Sequence, residues 1–248
     1  MSKVLLFISN ANYLGKSRKT GYDIRDLSQV YYSLINLGNF PQDSIDFASI
    51  KGGQVDFDHM SLVLARQNLI ASPYVDLFMI DESVQERLEN TKKLSELKTT
   101  DYKCIVFCED IGSTFDFIKN KSIQQFSADF FAGNGVICAN GHGCSGFLNA
   151  KLLSGDFLVK NVNLCCSSKT EEIANKLDSK LPFILETKLI ENGAVISNKL
   201  VNVANVVNYN NRILTGQNIQ SSATLYSQLA TLIGTTVVNT VVVTDLNS

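Results

Sequence analysis

Apolar residues in this chain gather into short continuous runs separated by stretches of helical periodicity. Val4-Leu5-Leu6-Phe7-Ile8, Cys104-Ile105-Val106-Phe107-Cys108 and Val136-Ile137-Cys138-Ala139 are runs of the kind that fill a parallel sheet covered on both faces. The pattern predicts a first strand over Lys3–Ser9, a polar loop over Asn10–Lys19, and a helix opened by Thr20-Gly21. In that helix Tyr22, Ile24, Leu27, Val30, Tyr31, Leu34 and Ile35 recur at helical spacing before Gly38. Ser44–Ser49 alternates as a second strand. Phe57–Pro73 is weakly patterned and predicts an irregular insertion. Asp81–Leu97 reads as a charged surface helix capped by Asp81 or Ser83.

Beyond the central runs, helices are predicted over 120–133, Phe147–Leu153, Thr170–Leu177, Leu181–Asn192 and from Gln217 to Ile233. Strands are predicted over Asp156–Val159, Val162–Cys166, Leu200–Val207 and Ile213–Thr215, the last two joined by a tight Asn210-Asn211 turn. Strands alternating with helices predict an α/β sandwich, and no repeat, linker or domain boundary interrupts residues 1–248.

Composition narrows the function classes. The chain has 248 residues, 45% hydrophobic and 19% charged, as expected of one globular domain. A formal net charge of -2, without a dense Lys/Arg block, argues against nucleic acid or an anionic membrane as partner and for a small molecule or protein. The apolar run after Met1 is too short for a signal peptide, and Val237–Val243 falls short of the ~20 residues a bilayer requires, so a cytoplasmic protein is expected. Six cysteines lie mostly in apolar runs and are expected reduced and buried; Cys104 and Cys108 lack a second pair to complete a zinc site, so no metal or cofactor is expected.

Candidate chemistry centres on Val136–Phe147, where a strand breaks at glycine and restarts as a helix. Such strand-to-helix elbows hold enzyme nucleophiles, because the tight turn projects one side chain into the crevice above the helix's free amides. Here that position is Gly141. Glu109-Asp110-Ile111-Gly112 follows the preceding central strand, at the end where open sheets place ligands.

Several segments together extend the reading: Lys19-Thr20-Gly21, Asp46–Gly53 with Asp56 and Ser61-Leu62, Gly112–Phe117, the elbow, Leu181–Glu186, and Ile213–Asn218 with Gln220-Ser221. In order and spacing the sequence resembles the ThiJ/PfpI superfamily of class-I glutamine amidotransferase-like fold, most closely its larger branch of heat-shock chaperones and glutathione-independent glyoxalases. The resemblance implies a flavodoxin-like three-layer α/β/α sandwich with a mostly parallel sheet, and a dimer like many relatives. It also implies a site of elbow cysteine, following histidine and a helix-borne acid. On this chain the histidine falls on His142, the acid on Asp26, shorter than the family's glutamate, and the cysteine on Gly141. A further acid that orients the histidine should fall near Thr170 or Glu171. Three departures accompany the missing thiol: Asp110-Ile111-Gly112 in place of Gly-His-Gly, Gln29-Val30 in place of His-Pro, and Cys144 in place of proline.

Glycine offers no attacking atom, so the expected function is a catalytically degenerate family member that binds a small ligand or protein client without covalent turnover. The alternative is a divergent lyase or hydrolase in which His142 and Asp26 act with water or a neighbouring thiol. Gly112, Gly143, Cys144 and Cys108 are the expected ligand contacts, with packing of both thiols as small hydrophobes the competing reading. His142 could equally be kept for packing at the elbow, Arg25 is expected to be a solvated surface charge, and His59 an exposed loop residue.

Overall fold

The computed structural model describes residues 3–14, 18–67 and 73–234. The Val237–Val243 run lies outside them. Seven strands form the central sheet: β1 Lys3–Ile8, β2 Ile45–Ser49, β3 Lys92–Lys93, β4 Tyr102–Phe107, β5 Val136–Asn140, β6 Val206–Tyr209 and β7 Ile213–Gly216. Their order is β6-β7-β5-β4-β1-β2-β3, and all neighbours are parallel except β6 and β7. This is the expected sandwich with a mostly parallel sheet of flavodoxin type.

Alternation along β1 divides the core. Val4, Leu6 and Ile8 join a cluster with Leu27, Val30 and Leu34 of helix α1 (Ile24–Asn36). Leu225, Tyr226 and Leu229 of the last helix, Ser222–Ile233, complete that layer. Leu5 and Phe7 face the other way, against Phe107, Phe117, Ile123, Phe130 and Phe147. Successive strand residues point to opposite faces, so a continuous apolar run supplies both layers.

Several predicted elements are corrected. Weakly patterned Phe57–Pro73 contains a helix, α2 (His59–Gln67), and His59 is exposed on its first turn rather than in a loop. The charged helix is shorter, Glu82–Glu89, capped by Asp81, which accepts from Val84 N; Lys92 and Lys93 then pair with β2. The predicted strand over 156–159 is a series of turns, and Leu200–Val207 yields its strand only from Val206. The Asn210-Asn211 hairpin is present, both residues at positive φ as such a turn requires.

Candidate functional site

The site assembles where β4 and β5 end side by side. β5 stops at Asn140, and the chain turns through Gly141, whose φ of +50° disfavours any residue with a Cβ. Gly141–Phe147 continues as a 3-10 helix, and the α-helix predicted over Phe147–Leu153 does not form. Beside it, Glu109 follows the end of β4 and turns its carboxylate across the elbow. A Cβ built on Gly141 would overlap Glu109 Oε2. A carboxylate thus fills the space that a side chain at the nucleophile position would enter.

Glu109 holds His142 at two points. Oε2 accepts from His142 N at 3.0 Å, and Oε1 lies 2.8 Å from Nδ1. Ser167 Oγ lies 3.0 Å from the same ring nitrogen. On the ring's other side Glu172 Oε1 is 3.6 Å from Nε2, a charge contact longer than a normal hydrogen bond. Burial alone would lower the histidine's pKa, but the Glu109 and Glu172 carboxylates favour the cation and raise it to about 10. The groups around the ring thus favour its cation, and the ring lines the cleft as well as packing at the elbow.

Asp26 is in the site's foundation rather than beside the histidine. Fully buried on α1, its carboxylate accepts from Glu109 N, Asn140 Nδ2, Ser222 Oγ and Tyr226 OH at 2.6–2.7 Å. None of these bonds reaches His142, the residue that the alternative reading sets it to work with. Asp26 ties α1, β5, the loop after β4 and the last helix together, and it fixes the backbone from which Glu109 projects. Burial raises its pKa to about 6 despite the four donors.

A cleft of about 790 Å³ opens above the elbow. Glu109, His142, Ser167 and Glu172 lie at its chemical end; Met60 and Leu64 of α2, Ile111, Leu177 and Ile219 supply apolar wall. Gly112, Gly143, Cys144 and Cys108, the expected ligand contacts, are not among its lining residues. A Cβ on Gly143 would overlap the Phe107 carbonyl oxygen, and one on Gly112 would come within 2.8 Å of Ala11 O, so both glycines serve close backbone packing. Cys144 and Cys108 are buried, and burial pushes both thiols well above the ordinary range. That is the state of packed hydrophobes, not nucleophiles.

Three residues of the cleft, Glu109, Ser167 and Arg25, were not among those expected, and the acid facing the ring is displaced by a position. Glu109 carried a usable signal, a lone acid directly after a buried apolar run, at the strand end where ligands sit. Arg25, expected on the solvated surface, lines the cleft with a side chain only 12% exposed and an ion pair to Asp23 at 2.6 Å. The acid that faces the ring on this side is Glu172, one residue past the expected pair. Glu171 caps its own helix in a box with Ser168 and accepts from Asn218 Nδ2 at 2.7 Å. Among the described residues, no group of His, Cys, Asp and Glu is arranged to hold a metal ion. Nor is any helix there long and apolar enough to cross a membrane.

Comparison with known proteins agrees with this fold. No family model matches the chain. The X-ray structure of Rapid Encystment Protein 24 kDa (REP24) from Francisella tularensis superposes with a TM-score of 0.84 at 28% identity, covering 95% of this chain and all of that one. Glyoxalase III from Candida albicans superposes with a TM-score of 0.76 at 21% identity, over 94% of this chain and 98% of the other. A ThiJ/PfpI domain protein from Brachyspira murdochii shares the fold at 16% identity and a TM-score of 0.58, over 93% and 95% of the two chains. Among curated sequences, "Putative glutathione-independent glyoxalase hsp3105" of Schizosaccharomyces pombe is 26% identical over 144 residues, 54% of this chain. That match spans about half of the relative's length, 52%.

Proposed function

We propose that the chain, which shares its fold with a ThiJ/PfpI domain protein and with glyoxalase III, is a member of that superfamily and binds a small ligand in the elbow cleft without covalent catalysis. The observation that carries this reading is Glu109 Oε2 in the space of the missing side chain at Gly141, bonded to the backbone and ring of His142. In a thiol enzyme of this geometry, an imidazolium stabilises a thiolate that attacks a carbonyl carbon. Here the anion beside the imidazolium is a carboxylate. It keeps the charge balance of the pair and lacks the thiolate's nucleophilicity, so the result is a stable ion pair at the floor of an open cleft.

The relatives' names favour a second reading, a divergent lyase acting on a small aldehyde. It requires a base or a nucleophile. A histidine held protonated up to about pH 10 has no free lone pair to offer at neutral pH. The neighbouring thiols are buried and shifted upward, so neither supplies the thiolate.

The two readings separate in one experiment. Purified protein is incubated with methylglyoxal and lactate is measured, alongside hydrolysis of small esters and peptides. The binding reading expects no product above the buffer control. Turnover that disappears in His142→Ala overturns it.

A further inference from the structure

The floor of the cleft carries a formal excess of acid. Two carboxyl groups, Glu109 and Glu172, flank a single imidazole ring, one acid more than the base beside them. Glu172 is 1% exposed and lines the cleft, yet its Oε2 has no hydrogen-bond partner. A buried acceptor without a donor is costly, and buried charges are ordinarily paired. The histidine does not reach it. Its Nδ1 faces Glu109, and its Nε2, also without a hydrogen-bond partner, lies 3.6 Å from the other oxygen of Glu172.

The rest of the cleft does not offset this excess. Arg25 is engaged by Asp23, its Nη2 2.6 Å from Oδ2 and its Nε 3.0 Å from Oδ1. Glu171 adds another carboxylate, already filled by Ser168 N, Asn202 N and Asn218 Nδ2. The formal balance of the lining is four acids against Arg25 and His142. An anionic ligand would enter against that field. A metal ion lacks a donor set, since no suitable group of side chains exists among the described residues. The remaining surface mixes uncharged polar side chains such as Gln67, Asn175 and Gln220 with an apolar wall of Met60, Leu64, Ile111, Leu177 and Ile219, and it is of a size for a small organic molecule.

We propose that the cleft takes a small organic cation, an alkylammonium whose N–H groups donate to the Glu109 and Glu172 carboxylates while its chain lies against the apolar wall. This rests on the binding reading above and names the ligand class for the same site. Three N–H donors and one positive charge satisfy the open acceptor and offset the surplus carboxylate together.

The test uses hexylammonium, hexanol and hexanoate, which share a chain and differ in charge, titrated calorimetrically into the intact protein at neutral pH. Hexylammonium should bind saturably at one site, at least tenfold more tightly than hexanol, with no saturable hexanoate binding. Glu172→Gln and Glu109→Gln should each weaken hexylammonium about tenfold and leave hexanol unchanged. Salt should weaken ammonium binding to the unaltered protein and not hexanol binding, a readout that needs no variant to fold. Equal affinity for hexanol, tighter binding of hexanoate, or absence of ammonium binding overturns the proposal. Lactate formation from methylglyoxal, measured on the same preparation, reports separately on the binding reading. Turnover with intact ammonium selectivity sinks that reading alone, and failed ammonium binding without turnover sinks this inference alone.

Discussion

Replacing Gly141 by cysteine would place a thiol at the tip of the elbow, and the structure says what stands in its way. The new Cβ would overlap Glu109 Oε2. That oxygen is the far end of a flexible side chain, but moving it gives up its bonds to His142 N at 3.0 Å and to the ring at 2.8 Å. Hydrogen bonds to charged groups contribute about 1.5–3 kcal/mol each, so displacing Glu109 costs about 3–6 kcal/mol. The left-handed backbone at φ +50° adds about 1–2 kcal/mol for a residue with a Cβ. Gly141→Cys alone should therefore lose about 4–8 kcal/mol, comparable to the whole stability of many domains. In a Glu109→Ala background the obstruction is gone, and the same substitution should cost only the backbone contribution of about 1–2 kcal/mol. Urea denaturation of the four chains measures the difference directly. The introduced thiol gives a second readout: in the double variant it stands beside His142 at the floor of the open cleft and should label with iodoacetamide, as the buried natural thiols should not. If Gly141→Cys costs the same in both backgrounds within about 0.5 kcal/mol, Glu109 does not occupy the nucleophile's space and the reasoning fails.

Three further outcomes follow from the same geometry. His142 is protonated more readily folded, up to about pH 10, than unfolded, so its contribution to stability is complete below about 6.5 and is lost as pH rises toward 10. The stability difference between the natural chain and His142→Gln, followed by denaturant melts, should therefore shrink across that window; a difference that grows with pH would contradict the ion pair. Asp26→Ala leaves four buried donors without their acceptor and should destabilise the fold by about 3 kcal/mol or more, whereas a loss below about 1 kcal/mol would remove Asp26 from its structural role. All six cysteines are buried and free, so mass spectrometry after brief native iodoacetamide treatment should find none labelled and all labelled in urea; selective native labelling of Cys144 or Cys108 would revive a thiol mechanism.

The architecture was legible because its signals are local. Continuous apolar runs such as Val4–Ile8 and Cys104–Cys108 could only be doubly covered strands, and the Asn210-Asn211 pair carried its turn in its own backbone preferences. The segment after the elbow misled because Phe147, Leu148 and Ala150 are apolar at helical spacing, yet they pack as turns against Phe107 and its neighbours. Helix α2 escaped detection for the opposite reason: Met60, Val63 and Leu64 stay 41–48% exposed, so no clear apolar stripe marks it. In the site, Gly141 and His142 were readable from the elbow pattern. Their acidic partners were not, because Glu109 and Glu172 are separated by 63 positions in the chain: Glu109 meets the ring through the parallel pairing of β4 and β5, and Glu172 reaches it from the helix Lys169–Ala174. Asp26 shows the converse. Its place on α1 was readable, but its four partners, which turn it away from the histidine, lie up to 200 residues distant.

Glu109 as the fixed anion beside His142 is the claim on which the functional reading stands, and a titration of the His142 ring nitrogens by NMR in nitrogen-labelled protein tests it most directly. The ring should remain an imidazolium from pH 6 through pH 9, and Glu109→Gln should return its titration toward the ordinary histidine range near 6.5. A His142 that titrates near 6.5 in the unaltered chain would contradict the account.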